Sequence, residues 1–199
     1  MAPKIDTALI TKLREITGLG MMDCKKALEE SNGDIEKAIE ILRKKGASIA
    51  SKRSDKHMAE GIVATYIHPG AQIGVLVEVN CETDFVANTP DLKNFANDLC
   101  MHIAAARPHY LTPEEVDPAL IEKEKAILKE QLAQSGKPAQ VIDQIVQGKL
   151  TKLYSEICLM QQHFIKNDKF TIDQLLKELM GKTGENIRIK RFARYEIGT

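Results

Sequence analysis

The chain has 199 residues, and its 28 Lys and Arg balance 28 Asp and Glu, so the formal net charge at pH 7 is zero. No global field therefore steers it toward nucleic acid or anionic lipid. No run approaches the ~20 apolar residues of a membrane span, and this length suggests one or two domains.

The opening stretch MAPKIDTALITKLREITG is interrupted by charges every few residues, so it lacks the continuous apolar core of a signal peptide. Cys24, Cys81, Cys100 and Cys158 are far apart and form no CxxC pair. Reduced thiols in a cytosolic-type compartment are expected, either a bacterial cytoplasm or an organelle interior.

Residues 5–45 read as three short helices. Ile5, Leu9, Leu13 and Ile16 share one helical face, and Gly18 and Gly20 break the pattern. A second helix over 22–30 turns Cys24, Ala27 and Leu28 inward. The sequence SNGD then stops it, with Asn32 and Gly33 suited to a left-handed cap and Asp34 to the start of the next helix. The third helix buries Ile35, Ala38, Ile39 and Leu42 and is expected to end at Gly46. Residues 46–60 have no clear period and read as a linker, or as an extension of the third helix.

The period then changes to two. Residues 62–67 read as a strand, HPGA (68–71) as a turn, and Ile73, Val75, Val77 and Val79 as the inner face of a second strand. Thr89 can cap a helix with Pro90 at its first position, and Leu92, Phe95, Ala96, Leu99 and Ile103 form its stripe. Thr112-Pro113-Glu114-Glu115 has capping-box spacing. Residues 118–135 and 138–155 read as an antiparallel helical hairpin, with Ile121, Leu128 and Leu132 facing Ile142, Ile145, Val146 and Leu153. Residues 157–165 read as a strand, 171–180 as a helix and 185–196 as a final strand.

The search for chemistry returns little. His102 and His109 are separated by Pro108, and no ligand cluster has zinc spacing. Cys81, with Asp84 and His68, is a conceivable nucleophile, but Cys81 shares its strand face with apolar residues and reads as a small buried thiol. No phosphate loop, GxSxG or HExxH is present. Two basic stretches, Lys44/Lys45/Lys52/Arg53/Lys56 and Arg188/Lys190/Arg191/Arg194, lie near acids and read as solvated surfaces. Met21 and Met22 are neighbours about 100° apart on a helix, so at least one is expected outside the core, beside Leu19. Phe85, within CETDFVANT, either anchors its loop against the helix starting at Pro90 or points outward as an interface anchor.

Two long motifs go beyond periodicity. LREITGLGMMDCKKALEESNGDIEKAIEILRKKG (13–46) and EVNCETDFVANT (78–89) closely resemble the translation elongation factor Ts family, which supplies the guanine-nucleotide exchange factor for elongation factor Tu. The resemblance continues through MHIAAARPHYLTPEEV and TIDQLLKEL and covers essentially the whole chain. It implies an α+β chain. A three-helix ubiquitin-associated-like domain (1–46) and a linker (47–60) precede an α+β core and dimerisation subdomain (61–112 and 156–199), which carries an inserted helical hairpin (113–155).

The resemblance also implies roles. Thr83, Asp84, Phe85 and Val86 match the family's TDFV motif, whose phenylalanine wedges into the nucleotide-binding domain of Tu and which is associated with loss of bound magnesium. Asp84 is expected to hold that loop by capping or by hydrogen bonds to amides. Leu13, Arg14, Met21 and Met22 match positions that grip the same domain, and His68 matches a further contact. No covalent step, cofactor or metal is implied. The partner that the resemblance implies is Tu, GDP-bound or nucleotide-free, and no nucleic acid or membrane is expected. Because short members have one core subdomain where longer ones have two, a homodimer is expected.

Overall fold

The computed structural model of the chain describes residues 5–52, 58–133 and 138–198. The N-terminal helices are α1 (Thr7–Thr17), α2 (Met21–Glu30) and α3 (Ile35–Lys52). Strands β1 (Glu60–Ile67) and β2 (Ile73–Cys81) follow, then the one-turn α4 (Asp84–Ala87) and α5 (Pro90–Ala106). A helical hairpin comes next, α6 (Pro118–Ala133) and α7 (Ala139–Ile157). The chain continues through β3 (His163–Phe164), β4 (Asn167–Thr171), α8 (Ile172–Thr183) and β5 (Ile187–Glu196). This is the expected α+β architecture.

The residues group into two compact units, Met1–Ala64 with Val77–Asn97 and Gln174–Lys190, and Thr65–Leu76 with Asp98–Asp173 and Arg191–Thr199. In the first, local chemistry sets the helix ends. The Asp6 carboxylate accepts from the Ala8 N–H at 3.1 Å, and Gly18, at φ +66°, closes α1 by donating to the Arg14 carbonyl. Asn32 and Gly33 both have positive φ, and the Asp34 carboxylate accepts from the Lys37 N–H, as SNGD predicts. The helices share a core of Ile10, Leu13, Leu19, Cys24, Ala27, Leu28, Ala38 and Leu42. Two readings need correction. Ile16 is exposed, because Ile10 and Leu13 face the core while Ile16 sits at the helix's last turn. Gly46 does not end the third helix, since α3 continues to Lys52. A Cβ there would lie 2.6 Å from the Lys177 carbonyl oxygen and 3.5 Å from the Gly181 Cα, so Gly46 is where α3 crosses α8. The expected linker thus begins as helix, and its residues 53–57 lie outside the described residues.

Strand order in the main sheet is β1-β2-β5. Val75, Val77, Val79 and Cys81 alternate inward, as the period of two requires. Along β5 the alternation changes phase at Lys190–Arg191: Ile187 and Ile189 are buried, whereas Tyr195 is exposed.

In the second unit, α6 and α7 pack through Ile121, Leu128, Val146 and Leu150, together with Val116 and Cys158. The tip, residues 134–137, is outside the described residues. Ile145 does not join this core, and Leu150 takes its place. Residues 157–165 are not one strand: Cys158 makes an isolated bridge to Tyr110, a 3-10 turn follows, and only His163–Phe164 pairs, with β4. The spacing at Thr112 builds no reciprocal box either. The Glu115 carboxylate accepts from the Leu111 N–H at 2.8 Å.

His102 is fully buried in this unit. Gln162 donates from Nε2 to the Ala106 and Glu156 carbonyls, at 3.3 and 2.7 Å, so its Oε1 faces His102 Nε2 at 3.0 Å. That assigns the proton to Nε2 and leaves the Nδ1 lone pair buried with no partner among the described residues. Burial holds the imidazole below its usual range, against the opposing pull of the Gln162 hydrogen bond. A depressed folded pKa means the unfolded chain binds more protons. The neutral histidine's contribution is therefore complete above its unfolded pKa of about 6.5 and is lost as pH falls below it. Urea unfolding at pH 7.5 and 5.5 is expected to give a smaller stability difference for His102→Gln than for the parent chain.

Candidate partner-binding site

β2 ends at Cys81, and the chain then makes a single helical turn. Thr83 is its cap: the hydroxyl accepts from the Val86 N–H at 3.3 Å with the backbone extended. Asp84 occupies the first helical position, with an exposed carboxylate, so the expected capping role belongs to Thr83 instead. Asn88 closes the turn, its N–H and side-chain amide both reaching the Asp84 carbonyl, at 3.1 and 2.9 Å. The Thr89 hydroxyl donates to the Val86 carbonyl at 2.8 Å and accepts from the Leu92 N–H at 3.3 Å, joining this turn to α5.

The turn has two faces. Val86 and Ala87 are buried, while Asp84 and Phe85 face solvent. Phe85 is 79% exposed, so the ring does not anchor its own loop. Leaving such a ring in water forgoes about 1.5–3 kcal/mol of burial. The segment leading into the turn is tied to the connection between α8 and β5. Thr83 donates to Glu185 from both its N–H (3.2 Å) and its hydroxyl (2.6 Å). The Asn186 N–H donates to the Glu82 carboxylate at 2.7 Å, and Lys182 pairs with Asp91 at 2.7 Å.

Cys81 is buried, and its thiol donates to the Thr83 carbonyl at 3.1 Å. Burial, and secondarily the Glu185 carboxylate, push its pKa up. A thiol kept protonated and turned toward a carbonyl is a packing group, which disposes of the nucleophile reading. Among the described residues no group of three His, Cys, Asp or Glu side chains could hold a metal ion. His102 is buried and His109 exposed, so they form no pair.

On the helical module, Met21 is 43% and Met22 62% exposed. Ile16 lies in the last turn of α1 and these methionines begin α2, so an apolar group flanks the Gly18–Gly20 connection. Leu19, within that connection, is buried. Arg14 is exposed, but Leu13 lies at the centre of the module's core and presents nothing to solvent. His68, in the other unit, is exposed at the β1–β2 turn, with its Nδ1 3.0 Å from the Tyr66 hydroxyl. The basic stretches are partly paired: Lys45 with Asp23, and Arg194 with Glu196. Arg53 and Lys56 lie outside the described residues.

A family profile described as Elongation factor TS matches residues 5–199. The chain belongs to the elongation factor Ts family. Its relatives include the elongation factor Ts of Caldanaerobacter subterraneus subsp. tengcongensis, 55% identical over 98% of this chain and 97% of the relative. Those of Carboxydothermus hydrogenoformans and Syntrophus aciditrophicus are each 54% identical over 98% of this chain, covering 89% and 96% of the relatives. The Ts match runs through the sheet and the hairpin, so a free-standing three-helix adaptor does not describe the chain. No helix among the described residues is long and apolar enough to cross a membrane.

Proposed function

We propose that this chain is a guanine-nucleotide exchange factor for elongation factor Tu, acting in the bacterial cytoplasm during translation elongation. One observation carries the reading: a phenylalanine 79% exposed on a one-turn helix whose opposite face is buried and hydrogen-bonded. A rigidly held apolar ring is suited to entering a pocket of another protein.

The mechanism is non-covalent. Tu holds GDP through its phosphates and magnesium. The Phe85 ring, backed by Val86 and capped by Thr83, enters the nucleotide-binding domain and favours a conformation that binds phosphate and magnesium poorly. Asp84 lies beside the ring on the same exposed face. Arg14, Met21 and Met22, with Ile16, grip the same domain from the helical module, which Leu13 supports from beneath. His68 supplies a further contact. Linkage makes the effect reciprocal: a factor that weakens GDP binding is itself weakened by GDP to the same extent. GTP rebinding then ejects it. No general acid, base or cofactor takes part. Mixing the chain with Tu carrying labelled GDP is expected to accelerate release, and excess magnesium to oppose it. Release at the intrinsic rate would overturn the reading.

The dimer belongs to the same proposal. Ile67, Leu76, Tyr195 and Ile197 are all exposed, and Ile67 lies over Gly74, where a Cβ would meet its Cδ1 at 3.2 Å. An exposed apolar sheet face of this kind suits a second copy of the chain. Sedimentation is expected to give twice the 22.2 kDa chain mass, and Leu76→Arg to give the single chain. A monomeric parent would overturn the dimer.

A further inference from the structure

We propose that Glu185 is a positioning residue for exchange: its carboxylate locks the turn that presents Phe85. This rests on the wedge reading above. The turn is only four residues long, far too short to persist by itself. Its N-terminal cap is the Thr83 hydroxyl, which can rotate. Glu185 removes that freedom. Its Oε1 takes the hydroxyl proton at 2.6 Å, leaving a lone pair aimed at the Val86 N–H, while its Oε2 takes the Thr83 N–H at 3.2 Å. The cap is thus charge-assisted, and each hydrogen bond in the relay strengthens the next.

The adjacent residues repeat the exchange in reverse, with the Asn186 N–H donating to Glu82. Two consecutive residues before the ring are therefore tied to the two residues that lead into β5, across a sequence separation of 102 to 104. Cys81 holds the other side, its thiol donating to the Thr83 carbonyl. Both carboxylate oxygens of Glu185 are engaged by Thr83, so its effect on the ring passes through Thr83.

Losing the carboxylate lowers the fraction of molecules with the ring in place, and apparent affinity falls by that fraction. Once seated on Tu, the ring makes the same contacts. Glu185→Ala is therefore expected to raise the concentration of factor giving half-maximal GDP release by about tenfold, the size of a lost charge-assisted hydrogen bond, with the maximal rate retained. Glu185→Gln, which keeps one acceptor oxygen, should fall between. Amide protection at 84–88 should drop in both variants.

In a Phe85→Ala background, Glu185→Ala should cost nothing further in exchange, while its effect on melting temperature stays the same in both backgrounds. An equal exchange defect in the two backgrounds, or unchanged protection at 84–88, would overturn the positioning role. So would parent-like exchange by Glu185→Ala beside an inactive Phe85→Ala. Parent-like exchange by Phe85→Ala alone would overturn the wedge, and this proposal with it.

Discussion

Phe85→Ala is expected to slow factor-stimulated GDP release by about 30-fold or more at saturating factor, with no loss of melting temperature. Truncating a central aromatic anchor commonly costs 2 kcal/mol or more of interaction, and 1.4 kcal/mol is a factor of ten. The fold gives up little. The ring is 79% exposed, so the free chain loses almost no burial with it. Alanine also has the higher helix propensity, by a few tenths of a kcal/mol. Val86 and Ala87, which hold the turn to the body, are untouched. The variant therefore separates partner binding from stability. Stopped-flow release of a fluorescent GDP from Tu over a concentration series measures the first, and thermal unfolding the second. An unchanged saturating rate would mean that the ring does not act on the nucleotide site.

How much of this was readable in the residues follows from the range of each interaction. Alternation along β2 and the cap at Thr89 are local, and both are present in the structure. That at least one of Met21 and Met22 lies outside the core was legible, because two neighbours on a helix cannot both face one core; that both are exposed was not. Ile16 was misread because the 5-9-13-16 stripe ignored that α1 buries Ile10 and ends at Thr17. Gly46 was read as a stop, yet it lies against the backbone of α8, and nothing within the helix announces its partner at Gly181. The cap at Thr83 could have been found, since a threonine three residues before Val86 is in range of its N–H. Its clamp could not: Glu185 lies 102 residues away, and no pattern links the two. The TDFV motif pointed to the candidate site, whereas the exposure of Phe85 required the fold.

Gly61→Ala is expected to remove about 3 kcal/mol of stability, the largest single loss we anticipate. Gly61 has φ +152°, which L side chains rarely adopt, and such strain costs of order 1–3 kcal/mol. An added Cβ would also lie 2.3 Å from the Val79 carbonyl oxygen and 2.8 Å from the Asn80 Cα. Both are backbone atoms of the neighbouring strand, so no side chain can turn aside, and forced displacement adds about 1–3 kcal/mol. The lower entropy of an unfolded alanine chain returns only about 0.4–1 kcal/mol. Against a total stability of order 5–15 kcal/mol, the variant should remain folded but melt several degrees lower. The defect reaches function as well. Val79 and Asn80 are the last residues of β2 before Cys81, Glu82 and Thr83, so pushing them aside displaces the strand that carries the Phe85 turn. Gly61→Ala should thus lower both the urea midpoint and exchange, whereas Phe85→Ala lowers exchange alone. An unfolding free energy within about 1 kcal/mol of the parent would show that β1 can move away from β2 at this end, and that the sheet does not hold the turn as tightly as these contacts require.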